Sequence, residues 1–324
     1  MAILVTGAAG FIGSETSLAL LSRGETVIGI DNLNAYYSPK LKRARLDRLN
    51  GQPNFRFIKA DIADYGALTA CLTGTAFSSI IHLAAQAGVR YSITNPFAYG
   101  KSNLLGHLSI LELARQRNIK HLVYASSSSI YGANTKTPFS ETDMTDAPVS
   151  LYGATKKSDE LMASAYAKLY SLPHTGLRFF TVYGPWGRPD MAYWLFTEKI
   201  LKGEPIEIFN NGEMGRDFTF ISDIVDGLIA AHDRPPGADD KFHRVFNLGN
   251  DRPEALMTLV ETLENALGAK AEKIMQPMQK GDVKQTWADI NKARDILGYA
   301  PKVPLTEGIS RYVAWRRETG DLIS

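Results

Sequence analysis

A glycine-rich turn between a short apolar strand and a helix constrains this chain more than any other feature. The run Ala2–Thr6 leads directly into Gly7-Ala-Ala-Gly10-Phe-Ile-Gly13. Glycines at this spacing permit a tight turn, a close approach of backbone to a pyrophosphate, and close packing of helix on strand. Asp31 ends the second predicted strand, where a carboxylate can accept both adenosine ribose hydroxyls and repels a 2′-phosphate. The sequence therefore predicts a dinucleotide site that favours NAD over NADP.

The first half of the chain alternates short apolar runs with longer helical patterns, which is typical of a parallel sheet covered by helices. Strands are predicted at Ala2–Thr6, Thr26–Asp31, Phe55–Asp61, Ser79–Ala84, His121–Ser127 and Thr175–Phe180. Helices are predicted at Phe11–Arg23, Pro39–Leu49, Tyr65–Leu72, Pro96–Asn118 and Ser150–Leu172. This order predicts an α/β fold with a Rossmann-like, doubly wound parallel sheet.

The regular alternation ends near Phe180, where glycine- and proline-rich segments begin. We therefore expect an NAD-binding domain over residues 1–180. A strand–helix–strand pattern within about 216–250 is predicted to rejoin its sheet. A smaller, interleaved α/β domain over residues 181–324 is expected to bind the substrate, with a cleft between the two domains.

Charge and cysteine content exclude several classes of function. The 36 Lys and Arg residues nearly balance the 34 Asp and Glu residues, so no overall basic surface indicates a nucleic-acid or membrane partner. The local cluster Lys40, Lys42, Arg43 and Arg45 is interpreted as a solvated helix face. One cysteine, Cys71, and six dispersed histidines offer no metal-ligand spacing. Without a secretion signal or a long apolar run, the sequence predicts a cytoplasmic protein.

A tyrosine and a lysine are predicted to lie on one helix face. Tyr152 and Lys156 are four residues apart, so the phenol and the ammonium are neighbours on a helix. A nearby cation stabilises a phenolate, which lets a tyrosine act as a base near neutral pH. The serines 126–129 end the fifth predicted strand, at the edge of the sheet where ligands bind. Tyr36 and Lys40 share the spacing, but an intervening proline predicts a surface loop.

These motifs together resemble a known family. The TGxxGFIG turn, the serine run before Tyr131-Gly132 and the Tyr152–Lys156 pair are similar to the extended short-chain dehydrogenases/reductases that modify nucleotide sugars, the NAD-dependent epimerase/dehydratase family. More narrowly, four stretches resemble the UDP-glucuronate 4-epimerases: Asp31–Tyr37, Ala85–Ser92, Arg178–Met191 and Gly281–Val283. The resemblance extends to about Arg317 and so covers nearly the whole chain.

The resemblance implies an isomerase with tightly bound NAD that interconverts UDP-glucuronate and UDP-galacturonate through a transient 4-keto intermediate. It implies Tyr152 as the base, Lys156 as its electrostatic partner and a nicotinamide-ribose contact, and Ser127 as a relay for the O4 proton. Other implied substrate contacts are Ser128, Ser129, Thr181 and Arg188 around the carboxylate, Arg216 at the phosphates and Asp282 at the uridine ribose. The other implied cofactor contacts are Gly7, Gly10, Phe11, Ile12, Gly13, Asp31, Asn32, Asp61 and Ile62.

Departures from related enzymes leave alternatives open. Ser128-Ser129 stands where 4,6-dehydratases carry Asp-Glu, and decarboxylases place a glutamate at Ser129. UDP-galactose 4-epimerases carry asparagine at Thr181 and arginine at Gln279, beside which Lys280 is a candidate replacement. The alternatives are a UDP-galactose 4-epimerase, a UDP-glucuronate decarboxylase and a non-catalytic NAD-binding protein. Relatives also imply a homodimer that pairs through the two long predicted helices.

Overall fold

Seven parallel strands form the central sheet of the protein, whose computed structural model describes residues 2–279 and 281–320. The strands in chain order are β1 (Ala2–Thr6), β2 (Val27–Asp31), β3 (Phe55–Lys59), β4 (Phe77–His82), β5 (His121–Ser127), β6 (His174–Phe179), β7 (Thr181–Tyr183), β8 (Ile206–Phe209), β9 (Gly215–Phe220), β10 (His243–Leu248), β11 (Pro253–Ala255) and β12 (Lys273–Gln276). The α-helices are α1 (Phe11–Ser22), α2 (Pro39–Asn50), α3 (Tyr65–Cys71), α4 (Tyr91–Thr94), α5 (Pro96–Tyr99), α6 (Gly106–Gln116), α7 (Leu151–Tyr170), α8 (Ala192–Lys202), α9 (Ile221–His232), α10 (Leu256–Leu267), α11 (Asn291–Leu297) and α12 (Leu305–Thr319).

The order of strands in the central sheet is β10-β6-β5-β4-β1-β2-β3, and each neighbouring pair is parallel. The chain runs outward from β1 to β3, returns to β4 beside β1, and then runs outward on the other side. This reversal is the doubly wound topology of Rossmann-like folds, and it confirms the predicted fold class. Ligands bind in such sheets beyond the carboxyl ends of the strands at the reversal, which are here β1 and β4.

Strand β10 returns from the second half of the chain to the central sheet. It pairs with β6 from His243 opposite His174 to Leu248 opposite Phe179, so the sheet has one strand more than the six predicted in the first half. Helix α9 precedes β10 and packs against α1, β5 and β6. The other strands form a three-stranded sheet, β11-β9-β7, and a two-stranded sheet, β12-β8. Helices α8, α10 and α12 pack against one another in this second half.

The helix predicted over 96–118 is present over residues 96–116, but it contains a π-helical turn at Gly100–Leu105 between α5 and α6, which the sequence did not predict. Asn103 lies in the π-helical turn and is buried. Its side chain pairs with both main-chain groups of Gln86, at 2.8 and 3.1 Å, and donates to Thr155 Oγ1 at 3.0 Å. A π-turn redirects side chains without ending a helix, and this one joins the loop after β4 to helix α7.

The expected solvated basic face on α2 is wrong for two of its residues, since Lys42 and Arg45 are buried. The Arg45 guanidinium donates to the carbonyl oxygens of Trp186 at 2.7 and 2.9 Å and of Gly187 at 2.7 Å. Trp186 has a left-handed backbone, with φ of 62°, and its carbonyl group lies in this turn outside any helix or strand. A buried carbonyl needs a donor, and Arg45 supplies it across the boundary between the two halves of the chain.

Two kinds of feature are not found within residues 2–279 and 281–320. No three histidine, cysteine or acidic side chains there come together in a group that could hold a metal ion. No helix in this part of the chain is both long and apolar enough to cross a membrane.

Candidate active site

A cavity of about 970 Å³ lies beyond the carboxyl ends of β1 and β4, between the two halves of the chain. It brings together every residue that the sequence predicted for the site. The cofactor residues on its wall are Gly7, Gly10, Phe11, Ile12, Gly13, Asp31, Asn32, Asp61, Ile62 and Lys156. The substrate residues on its wall are Ser127, Ser128, Ser129, Tyr152, Thr181, Arg188, Arg216 and Asp282.

The glycine turn is closed so tightly that no side chain fits at its three glycines. Gly7 has a φ of +73°, and a Cβ atom there would lie 2.7 Å from the Ala84 nitrogen at the end of β4. A Cβ atom on Gly13 would overlap the Gly7 carbonyl oxygen, and one on Gly10 would lie 2.9 Å from that oxygen. Helix α1 begins at Phe11, so its first N–H groups lack partners within the helix and lie at the cavity wall. This end of the helix suits a pyrophosphate.

Two carboxylates stand at the ends of neighbouring strands beside this turn. Asp31 accepts from the Leu33 nitrogen at 2.8 Å and from the Ala9 nitrogen at 3.2 Å, which fixes its orientation. Asp61 pairs with Lys101 at 2.8 Å, and although burial opposes it, this pair lowers the pKa of Asp61. With the glycine turn, these groups fit a dinucleotide whose adenosine ribose carries free hydroxyls, as NAD does.

Helix α7 carries the predicted tyrosine and lysine. Ser150 caps this helix by accepting from the Gly153 nitrogen at 3.0 Å, which places Tyr152 in the first turn. The Tyr152 ring packs edge-on against the Tyr99 ring, with centroids 6.0 Å apart. One turn later, the Lys156 ammonium donates to the Ala125 carbonyl at 3.0 Å. The two side chains therefore reach the cavity together from one helix face, as the spacing predicted.

The serine run forms the end of β5 and the start of a 3-10 helix at Ser128–Tyr131. Ser127 Oγ accepts from the Ser129 nitrogen and donates to Ser129 Oγ, both at 3.2 Å. Ser127 thus caps the short helix while its hydroxyl lies at the cavity wall. Behind it, Ser126 donates to Glu160 at 2.6 Å, and Glu160 pairs with Arg178 at 2.8 Å. The buried Glu160–Arg178 ion pair therefore fixes the Ser126 side chain at the end of β5.

Arg188 is ion-paired within the cavity wall. Its Nε donates to Asp190 Oδ1 at 3.0 Å, and a second nitrogen donates to Oδ2. Although burial opposes it, this pairing raises the pKa of Arg188, so its charge is retained. The Tyr36 hydroxyl donates to the same carboxylate at 3.0 Å. Tyr36 lies in the loop that the sequence predicted before α2, but it is half-buried and forms part of the cavity wall, which was not predicted.

The opposite end of the cavity carries Arg216 and Asp282. Arg216 donates to the carbonyl oxygens of Gly215 at 2.8 Å and Lys284 at 3.2 Å. Burial lowers the pKa of Arg216, an effect that Asp282 opposes. Asp282 pairs with Arg90 at 3.4 Å. An anion bound here would meet a guanidinium with few competing acidic partners.

The neighbouring residue pair is only partly described. Gln279, which stands where UDP-galactose 4-epimerases carry an arginine, lies on the cavity wall. Lys280, the candidate replacement for the arginine of UDP-galactose 4-epimerases, lies outside the described residues.

A profile of the NAD dependent epimerase/dehydratase family matches residues 3–249. The chain belongs to this family. It is therefore an NAD-dependent enzyme of the epimerase class, and the resemblance inferred from the sequence motifs is confirmed.

Individual members of the family are similar to this chain over nearly its whole length. The uncharacterized protein MJ1055 of Methanocaldococcus jannaschii is 51% identical, over 98% of this chain and 97% of its own length. UDP-glucuronate 4-epimerase 4 of Arabidopsis thaliana is 49% identical, over 97% of this chain and 74% of its own. The crystal structure of UDP-glucuronic acid 4-epimerase from Bacillus cereus, in complex with UDP-glucuronic acid and NAD, is 35% identical. It covers 98% of this chain and 99% of its own, with a TM-score of 0.90.

Several wall residues were missed by the motif analysis of this family member. Asp190 and Tyr36 lie inside stretches that carried the resemblance, so their positions were available as signals. Arg90 lies in the stretch Ala85–Ser92, and its guanidinium stands 4.9 Å from the centre of the Phe209 ring, which also lines the cavity. Asn103 is not on the wall itself; it holds the wall residue Gln86 from behind, and no sequence signal pointed to it because its role depends on the π-turn.

Proposed function

We propose that this chain is a UDP-glucuronate 4-epimerase that interconverts UDP-glucuronate and UDP-galacturonate through a transient 4-keto sugar. The observation that carries the proposal is that Tyr152 and Lys156 line the same cavity as Ser128, Ser129, Thr181 and the charged Arg188. Tyr152 and Lys156 are suited to removing the proton of an alcohol during its oxidation. The hydroxyl side chains and the arginine are suited to binding a carboxylate at C6 of the sugar. Relatives of the same name support it, and the alternatives of a galactose epimerase, a decarboxylase or a non-catalytic protein are not favoured.

The proton of the C4 hydroxyl is assigned to Tyr152. As phenolate, Tyr152 removes this proton directly or through Ser127, and later returns it to the product. The Lys156 ammonium, held at the Ala125 carbonyl, stabilises the phenolate. NAD, when bound, accepts the hydride from C4 and gives it back to the other face of the ketone, so there is no net redox change. The glycine turn, Phe11, Ile12, Asp31, Asn32, Asp61 and Ile62 would hold this cofactor.

The sugar carboxylate is assigned to Ser128, Ser129, Thr181 and Arg188. A 4-keto uronate is a β-keto acid, which loses CO₂ when its C5–carboxylate bond aligns with the carbonyl π system. Three hydroxyl donors and one guanidinium would hold the carboxylate away from that alignment and compensate its charge. No acid side chain stands at Ser129 to protonate C5. The wall therefore favours return of the hydride over loss of CO₂.

The UDP group is assigned to the second half of the chain, residues 181–324, as its substrate-binding domain. Arg216 would meet the phosphates, and Asp282 a uridine ribose hydroxyl. The flat ketone must turn over between hydride transfers, so these contacts would anchor the nucleotide while the sugar moves.

A homodimer in the cytoplasm completes the proposal. Helices α6 and α7 pack side by side, and apolar side chains on and beside them are exposed: Phe97 by 87%, Leu161 by 60% and Leu169 by 71%. A second copy of the chain would cover this face. Light scattering of the purified protein should give twice the chain mass, and Leu161→Asp should give the monomer.

The single cysteine agrees with a reducing compartment such as the cytoplasm.

The decisive experiment incubates the purified protein with UDP-glucuronate and follows products by proton NMR. UDP-galacturonate should accumulate to equilibrium, and Tyr152→Phe should reduce turnover by at least about 10²-fold while keeping NAD. Tyr170→Phe, on the same helix and away from the cavity, should turn over normally. Formation of UDP-xylose and CO₂ without UDP-galacturonate would exclude the proposal.

A further inference from the structure

The catalytic-site lysine is paired with a carboxylate that the proposed chemistry does not use. Lys156 Nζ lies 3.0 Å from Asp159 Oδ2, one turn further along α7. Asp159 is fully buried, and Lys156 exposes only 3% of its surface. The other oxygen, Asp159 Oδ1, is buried and has no hydrogen-bond partner among the described residues. The ion pair therefore lies in the interior, beneath the cavity.

Folding stability does not explain this carboxylate. A buried ion pair contributes little net stability, because desolvation offsets the attraction of the charges. A buried acceptor without a donor adds a further cost. Burial raises the pKa of Asp159, although the Lys156 ammonium opposes this effect. The surroundings of Asp159 therefore disfavour its charged form. Such groups recur where function requires them.

The hydrogen bonds of Lys156 show what the carboxylate does. An ammonium has three N–H donors. Two of them are used within the protein, on the Ala125 carbonyl and on Asp159, each at 3.0 Å. One donor is left for the cavity, where Lys156 forms part of the wall beside Tyr152. The carboxylate and the carbonyl together thus limit where the ammonium can point.

The charge of Asp159 also acts at Tyr152. The two residues are seven positions apart on α7, which is about 10 Å along a helix axis. At that distance in a protein interior, a negative charge offsets part of the positive potential that Lys156 produces. A phenolate stabilised by an uncompensated ammonium would be a weaker base for the C4 hydroxyl. Epimerisation needs the same phenol to take a proton and to give it back.

We propose that Asp159 is a positioning residue of the epimerase reaction, which directs the Lys156 ammonium and offsets part of its charge at Tyr152. This inference rests on the proposed function, because it takes Tyr152 as the base and Lys156 as its partner. Other charged or titratable groups act on these three residues from α5, α6, β4, β5, α7 itself and the loop after β7: Tyr99, His107, His82, Tyr124, Glu160 and Arg188. None of these is changed in the test below.

The test compares Asp159→Asn with the wild-type, NAD-loaded protein. Asparagine keeps the shape and removes the charge, so the acid limb of kcat/KM against pH should move down by about 0.5–1 pH unit. At the wild-type optimum, turnover should fall several-fold as the phenolate becomes a weaker base. Asp233→Asn makes the same chemical change in a surface pair with Arg23 and should leave the profile in place. An unmoved acid limb in Asp159→Asn would overturn the proposal.

A second readout does not depend on the substrate. With ¹³Cζ-labelled tyrosine, the NMR signal that Tyr152→Phe removes should titrate at lower pH in Asp159→Asn than in the wild type. If UDP-glucuronate is not epimerised, the proposed function fails, and this titration still decides the role of Asp159. A midpoint equal to that of the wild type would refute the inference. Should Asp159→Asn not fold, Asp159→Ser is measured in the same way, and failure of both to fold would show a structural requirement instead.

Discussion

The Arg188 guanidinium lies side-on against the Asp190 carboxylate, with Nε 3.0 Å from Oδ1 and a second nitrogen on Oδ2. The Tyr36 hydroxyl donates to the same carboxylate at 3.0 Å. This arrangement fixes the plane of the guanidinium, and the arginine lies on the cavity wall, where it can meet an anion. Asp190 and Tyr36 therefore orient the arginine and leave its charge in place.

Replacing Arg188 should reduce kcat/KM more for a substrate whose sugar carries a carboxylate than for one whose sugar is uncharged. For Arg188→Met, kcat/KM with UDP-glucuronate should fall about 10- to 100-fold, because a hydrogen bond to a charged group contributes about 1.5–3 kcal/mol. The fall with UDP-glucose, which has no carboxylate, should be clearly smaller. Steady-state kinetics with both substrates measure the ratio. Arg23→Met, in a surface pair, serves as the control. Equal losses with both sugars would contradict the assignment of Arg188 to the carboxylate.

The hydroxyl side chains should control a side reaction. In the double variant Ser129→Ala, Thr181→Val, the carboxylate loses two donors and can rotate into line with the C4 ketone. The C5–carboxylate bond then breaks, its electrons form an enolate, and protonation gives UDP-4-keto-pentose and CO₂. Proton NMR and trapping of ¹³CO₂ from labelled substrate should detect both products. Ser22→Ala, in an exposed helix end, should release none. Absence of CO₂ from the double variant would argue against hydroxyl control.

The glycine turn should tolerate no side chain at Gly13. Alanine usually stabilises a helix relative to glycine by about 0.5–1 kcal/mol. At Gly13 the new methyl group would overlap the Gly7 carbonyl oxygen, so we expect the free energy of unfolding to fall by about 1–3 kcal/mol. Bound NAD should be lost as well. Urea unfolding and the NAD content of purified protein measure these effects. At Gly51 the new methyl group would have open space around it, so Gly51→Ala should neither lower the free energy of unfolding nor cause loss of NAD.

Acid stability should depend on Glu264, a buried carboxylate on α10. It accepts from Lys270 at 2.8 Å, from Lys273, and from the Ala271 nitrogen at 3.0 Å. Burial opposes ionisation, but these donors lower the pKa of Glu264 from 4.5 to about 2. Because the unfolded chain takes up this proton near pH 4.5, the contribution to stability is complete above pH 4.5. It is lost as the pH falls towards 2.

We therefore expect Glu264→Gln to lower the free energy of unfolding by about 1–2 kcal/mol at pH 7, since solvent screens the partly exposed lysines. The difference from the wild type should shrink at pH 3. Urea titrations at the two pH values measure it. Glu307→Gln, in an exposed pair with Arg311, should change stability little at either pH. A pH-independent difference would show that packing, and not charge, accounts for the loss.

The sequence was sufficient for the elements whose chemistry is local. The strand, glycine turn and helix over residues 2–22 follow from backbone rules that act between near neighbours. The Tyr152–Lys156 pair follows from helix periodicity, and the doubly wound sheet follows from the alternation of strands and helices. The glycine turn and the Tyr152–Lys156 pair depend mainly on residues near each other in the chain. The sheet instead joins strands more than 70 positions apart, such as β1 and β4, and the general rule for alternating strands and helices predicts that pairing.

The contacts between segments that are distant in sequence, and the burial that results, were decided only by the tertiary structure. The burial of Arg45 depends on carbonyl groups more than 140 residues away, and the wall position of Tyr36 depends on Asp190. Asn103 joins Gln86 to Thr155 only because a π-turn redirects it. The buried pairing of Lys156 with Asp159 was not predicted from the sequence. Burial is a property of the whole packed molecule, since the chain that removes water from a charge can come from any part of the sequence.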